Sequence, residues 1–197
     1  MGLVQAFIYK DFIVVGGEQR AIFNTHISEN YVKVFKLNST TIVGFTGSIS
    51  GNALLFGDYI NEDFSLSELC NSSYNEIENH LSEKFHQNIS FLEEVGIHSI
   101  VCGWDGIKMT GKAFFTNDPI TNGIFDITPE SLDQLRIVNC GEPQHYNNVI
   151  SLGQKLNNIN ILQLKNLFKD VISIGVKFDN TINSNITFEQ IRKVDVI

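Results

Sequence analysis

Two apolar runs open the chain, Leu3–Tyr9 and Phe12–Gly17, with only Lys10-Asp11 between them. Such Val/Ile/Phe-rich runs around a short polar link predict a β-hairpin. The second run is almost wholly apolar, as expected of a strand covered on both faces, and Glu18 and Arg20 mark its polar end. Ile22 to Asn30, with His26, reads as a loop. Tyr31–Leu37 then alternates, with Val32, Val34 and Lys36 on one face and Tyr31, Lys33, Phe35 and Leu37 on the other. Lys33 therefore sits among apolar neighbours and must either reach water or find a carboxylate. Asn38-Ser39 turns the chain into a further strand, Thr40–Thr46. After the small polar stretch Gly47–Gly51, Ala53, Leu54, Leu55 and Tyr59 predict a first helix.

Helical periodicity dominates next. Ser65-Leu66-Ser67-Glu68 and Ser73-Tyr74-Asn75-Glu76 both fit the S-x-x-E capping box, and the second opens a helix whose Ile77, Leu81 and Phe85 form one apolar stripe. Gly96–Gly103 and Ile107–Phe115 are strands joined by Trp104-Asp105-Gly106, a hairpin signal. Asp118 to Pro129 reads as loop, and Leu135–Cys140 as a short strand ending at Gly141. Pro143 suits a first helical turn, with Tyr146, Val149, Ile150, Gly153 and Leu156 on one face. Asn160 can cap another helix, carrying Leu164, Leu167, Phe168, Val171, Gly175 and Phe178 at helical spacing. Asp179–Asn185 is a turn, and Ile186–Ile191 a last strand.

Strands come in runs and helices in pairs. That order predicts an α+β fold, a four-layer αββα sandwich of two antiparallel sheets between helical layers, formed by residues 1–197 as a single domain. Hydrophobic residues make up 43% of the 197, enough for a proper core. Charged residues reach only 18%, which leaves surface for subunit contacts. The net charge of −8 and the lack of a basic stripe argue against nucleic acid. No apolar run is long enough for a transmembrane helix, and the first residues lack a signal-peptide pattern. Ala6 stands where a myristoylation motif needs Ser or Thr. Cys70, Cys102 and Cys140 are scattered and form no CxxC, so a cytoplasmic protein with reduced thiols is expected, with no metal and no cofactor.

Four short segments, taken in order, resemble the N-terminal part of proteasome β-type subunits and their bacterial ring-forming relatives, which are N-terminal-nucleophile hydrolases. They are Lys10-Asp11, Glu18-Gln19-Arg20-Ala21, Lys33-Val34-Phe35-Lys36-Leu37 and Thr46-Gly47-Ser48. The resemblance implies the αββα fold, a homo-oligomer built as a ring, and a peptide or small-amide ligand. It also implies roles. Lys33, held by Glu18 where most relatives have Asp, would lower the pKa of the nucleophilic system. The Gly47 N–H would form the oxyanion hole. Asp179 would support an N-terminal amine, although the supporting Ser of the family is replaced by Thr181 or Ile182.

The nucleophile is missing from this set. Counting back from Lys10-Asp11 places the family's N-terminal Thr at Gly2, which has neither hydroxyl nor thiol. The expectation is a proteasome-subunit-like fold acting as a structural or binding subunit; the alternative is an active threonine-type peptidase or amidohydrolase using another nucleophile. Each site residue also has a plainer reading: Lys33–Glu18 as a structural ion pair, Gly47 as a bend, Asp179 as a helix-to-strand turn. Ser39-Thr40-Thr41 looks like a processing site, but cutting there would detach the hairpin and Lys33. Cys140 with His145 is weak as a thiol dyad. The five histidines show no metal-ligand spacing.

Overall fold

The computed structural model describes residues 2–23, 26–60, 68–118, 122–131, 133–153 and 159–196. Its strands are β1 (Val4–Tyr9), β2 (Phe12–Glu18), β3 (Ala21–Phe23), β4 (His26–Ser28), β5 (Val34–Lys36), β6 (Thr41–Gly47), β7 (Ile97–Trp104), β8 (Met109–Phe115), β9 (Gly123–Asp126), β10 (Arg136–Cys140) and β11 (Ile186–Arg192). Its α-helices are α1 (Ile49–Phe56), α2 (Tyr74–Gln87), α3 (Ile89–Val95), α4 (Pro143–Gly153) and α5 (Ile161–Gly175). One sheet has the order β10-β1-β2-β11, the other β5-β6-β7-β8-β9, and every pairing is antiparallel.

Alternation along the strands builds the layers. Val4, Ala6 and Ile8 of β1 point between the two sheets, where they meet Ile42, Ile100, Cys102 and Ala113. Leu3 and Phe7 point the other way, onto Leu164, Phe168 and Val171 of α5. Val43, Phe45, Val101 and Phe114 leave the far face of the second sheet to pack on Ile77, Leu81 and Phe85 of α2. Three apolar interlayers make the αββα sandwich, and they explain why the hairpin strands are apolar throughout.

The hairpin registers as the sequence implies, with Tyr9 opposite Phe12 around Lys10-Asp11. The Ser73 box closes in both directions, and Asn160 caps α5 through Gln163 N. Several readings need correction. Ile22–Asn30 is not a plain loop, because β3 and β4 pair within it. The strand predicted over Tyr31–Leu37 is hydrogen-bonded as a strand only at Val34–Lys36. The Asp118–Pro129 loop contains β9, which pairs with β8. The first helix begins earlier than predicted, at Ile49, and Tyr59 lies beyond it. Tyr146 and Phe178 are exposed, and α4 buries Val149, as predicted, together with His145. Helix α3 was not foreseen. The box at Ser65 and the residue Leu156 lie outside the described residues.

Phe168 is fully buried, with its ring edge-on to Phe188 at 5.6 Å. Phe168→Ala is expected to cost about 3–5 kcal/mol, whereas Ile107→Ala should stay within about 0.5 kcal/mol. Ile107 is 82% exposed at its hairpin tip. Urea unfolding of both variants measures the contrast.

Candidate functional site

Glu18 ends β2, Lys33 precedes β5, Gly47 ends β6, Gly2 precedes β1, and Asp179 follows α5. The antiparallel registers bring the ends of these strands to one edge of the sandwich: Val4 faces Gly17 and Cys140, and Ile186 faces Glu18.

The Glu18 carboxylate is completely buried and fully occupied. Oε1 accepts from Leu3 N at 3.1 Å and from Lys33 Nζ, and Oε2 accepts from Arg20 N at 2.6 Å. Lys33, 5% exposed, also donates to the Arg20 carbonyl. So Lys33 does find a carboxylate. Burial lowers its pKa; the Glu18 charge opposes that, but the net direction is down from 10.5.

Gly2 lies flush against this pair. A Cβ built there would stand 2.5 Å from Glu18 Oε1 and would overlap Lys33 Nζ. The ammonium group thus occupies the space that a side chain on residue 2 would need. Gly47 is also constrained by its backbone. It has φ 85°, and a Cβ would meet Gly96 O at 2.7 Å.

The direction of the Gly47 N–H follows from register. Ser48 N bonds Gly96 O on the β7 side, and Phe45 N bonds Lys33 O on the β5 side. Gly47, two residues beyond Phe45, points its N–H to the β5 side, past the start of β5. Asn52, 1% exposed, holds this bend, its Nδ2 donating to Thr46 O at 2.9 Å and Ser48 O at 2.7 Å while Ser99 Oγ donates to its Oδ1.

Asp179 is oriented from two sides. Its Oδ1 accepts Thr181 N at 2.8 Å and Thr181 Oγ1 at 2.6 Å, and its Oδ2 lies 3.0 Å from Nε2 of His145, which is fully buried on α4 and stacked on Phe178. The Nε2–H tautomer is the one this pairing requires when the ring is neutral. Burial alone would raise the Asp179 carboxyl, but the Thr181 and His145 hydrogen bonds outweigh it and hold it below 3.8. Asp179 is therefore a turn residue hydrogen-bonded to both Thr181 and His145. The hydrogen-bond partner of His145 is Asp179 rather than Cys140. Cys140 is fully buried, and burial pushes its thiol well above 9.0, which leaves no thiol nucleophile there. Thr40 lies at the opposite end of β6 from Gly47. Asn52 and the pairing of His145 with Asp179 carried no sequence signal, since each meets its partner through the fold, whereas Thr181 stands where the resemblance places a supporting Ser.

A cavity of about 550 Å³ opens on this edge. Its walls include Ala21, Ile22, Tyr31, Phe45 and Ile49, and its polar end is formed by Gly2, Lys33, Gly47, Ser48 and Thr181. No group of three or more potential metal ligands occurs among the described residues.

The family described as proteasome subunit matches residues 3–124, more than half of the chain. The chain belongs to the proteasome subunit family. No curated protein sequence matches it significantly. Among solved structures, it is similar to Anbu, the ancestral β-subunit from Yersinia bercovieri, with a TM-score of 0.70 and 11% identity over 96% of this chain and 81% of that one. It is also similar to the eukaryotic HslV from Trypanosoma brucei, with a TM-score of 0.62 and 14% identity over 96% of this chain and 99% of the other. At such identities these two likenesses speak to the fold, which is the proteasome/HslV α+β fold with its two antiparallel sheets. Among the described helices, none is long and apolar enough to cross a membrane.

Two outcomes follow. Gly2→Thr forces the ends of the buried Lys33 and Glu18 side chains to shift, so it should lower stability by about 1–3 kcal/mol, readable as a drop in Tm. The Asp179 contribution, arising from a lowered carboxyl, is complete above its unfolded value near 3.8 and is lost as pH falls through its lower folded value. Thr181→Val should shrink that acid limb in a Tm-against-pH profile without changing it at neutral pH by more than the single lost hydrogen bond.

Proposed function

We propose that this proteasome-family chain is a non-hydrolytic subunit: it keeps the ligand-binding edge of the fold, lacks the hydroxyl nucleophile, and works in a homo-oligomer, as one domain over residues 1–197. The observation that carries this reading is at position 2. There is no side chain there, and the Lys33–Glu18 pair fills the space that one would take.

The remaining hydroxyls of the cavity do not replace it. Ser48 Oγ caps α1 by accepting Gly51 N and lies 2.9 Å from Ser50 Oγ. Thr181 Oγ1 donates to Asp179, whose carboxyl is held below 3.8 and is therefore a weak base at neutral pH. Thr46 Oγ1 has no base within hydrogen-bond reach among the described residues. What persists is a cleft with apolar walls and a cationic, N–H-lined end. That chemistry suits a peptide or small amide whose carbonyl oxygen rests near Gly47 while its apolar side chain lies against Phe45 and Ile49. Glu18, Lys33, Gly47 and Asp179 then serve as binding and positioning groups.

Assembly is supported by Ile22 and Ile27, direct cross-strand neighbours on the β3–β4 hairpin that are 51% and 54% exposed. Three buried, unpaired thiols suit a reducing compartment such as the cytoplasm.

The test is exposure of the purified chain to hydroxyl- and thiol-directed electrophiles, an epoxyketone and a β-lactone peptide, followed by intact mass and peptide mapping. No adduct is expected at any Ser, Thr or Cys. A stoichiometric adduct on one of them would replace this reading with an active threonine-type peptidase or amidohydrolase. In parallel, Lys33→Met should cost about 3–5 kcal/mol in denaturant, because it strands the buried Glu18 charge.

A further inference from the structure

Resting on the non-hydrolytic reading, we infer that Lys33 is a covalent capture residue: its Nζ forms an imine with aldehyde- or ketone-bearing ligands whose apolar part occupies the adjoining cavity. Lys33 Nζ stands where a side chain on residue 2 would project, and both residues line the cavity. Lys33 is the one primary amine among the side chains lining it. An amine nucleophile therefore occupies the place from which a hydroxyl is missing.

The surroundings match what imine formation needs. The amine must be uncharged to attack, and desolvation favours its uncharged form. Glu18 Oε1, hydrogen-bonded to Nζ, is placed to accept the proton as the ammonium becomes an amine. The Arg20 carbonyl fixes the Nζ direction. The Gly47 N–H opens on the same cavity and is placed to stabilise the oxygen of a ligand carbonyl as charge develops on it.

The step balances without any other reagent. The Nζ lone pair attacks the carbonyl carbon, and the C=O π electrons move to oxygen, which takes the proton held by Glu18. The adduct nitrogen then gives a proton back to Glu18, leaving a carbinolamine, and Glu18 passes that proton to the hydroxyl, which leaves as water while the nitrogen lone pair forms C=N, an iminium beside the Glu18 carboxylate. The C=N bond remains. No oxidant or reductant takes part, and addition of water reverses the sequence. Ala21, Ile22, Tyr31, Phe45 and Ile49 select a carbonyl compound with an apolar body over a small polar one.

The experiment uses the full chain with phenylacetaldehyde and sodium cyanoborohydride near neutral pH. Reduction of the imine leaves one adduct, heavier by the aldehyde less its oxygen atom. Peptide mapping should place it on Lys33 at about tenfold or more over exposed lysines such as Lys108 and Lys177, the preference that a burial-suppressed charge produces. Lys33→Arg, which keeps a cation for Glu18 but cannot form the imine, should remove the adduct from this position. Ser50→Trp, at the exposed start of α1 on the cavity mouth, should reduce Lys33 labelling while leaving the surface lysines unchanged. Labelling spread over lysines according to exposure, or Lys33 labelling that Ser50→Trp does not reduce, overturns the proposal. A hydroxyl or thiol adduct in the epoxyketone and β-lactone experiment would instead remove the non-hydrolytic reading, so the two failures are told apart by the residue modified.

Discussion

Two opposite charges buried at one edge of the sandwich hold its start, its second strand and its fifth strand together. Glu18 is completely out of water, and a carboxylate there is tolerable only because Leu3 N, Arg20 N and Lys33 Nζ all donate to it. The pair therefore fixes more than itself. It sets where the chain enters β1, how the backbone turns after β2, and which way the segment before β5 must run. Replacing one partner leaves a lone charge in an apolar layer, so the arrangement is retained even with no hydroxyl beside it.

Around that pair the edge is tied together by side-chain hydrogen bonds. Asn52 holds the Gly47 bend by its carbonyls. Arg20 is tied to Glu29 at 2.9 Å and to the Asn180 carbonyl at 2.7 Å, while Asn183 donates to Glu29 at 2.6 Å. These bonds lash the segment after β2 to the turn after α5, and so bring Asp179 toward Lys33. His145 reaches the same carboxylate from α4. Asn52 and His145 are thus held by partners from distant parts of the chain, Ser99 and Asp179.

Membership of the proteasome subunit family and the departure at position 2 fit one physical account. The layers depend on alternation and on three apolar interfaces, none of which involves the nucleophile. The scaffold therefore does not depend on a side chain at residue 2, because the burial that stabilises the sheets is spread over dozens of residues. The exposed Ile22–Ile27 pair also lies outside those interfaces, on a hairpin that leaves the main sheets.

Local pattern was enough for most of the architecture. Periods of two and of nearly four, with capping boxes and turn pairs, are properties of neighbouring residues, and they specified the hairpin, the α2 and α5 helices and the layer order. The motif order also pointed to Glu18, Lys33 and Gly47 as companions. Short edge elements escaped. β3, β4 and β9 have three or four residues each, too few for a period to show, and form because a neighbouring strand offers backbone partners. The strand at Tyr31–Leu37 was overextended because alternation continues where pairing stops. His145 with Asp179 and Asn52 with Ser99 are separated by 34 and 47 residues, and only the packed layers bring them to hydrogen-bond distance. Above all, the sequence by itself determined that residue 2 has no side chain, and only the tertiary structure decided what fills that space, because the reach of Lys33 across the sandwich edge is set by the burial of Glu18.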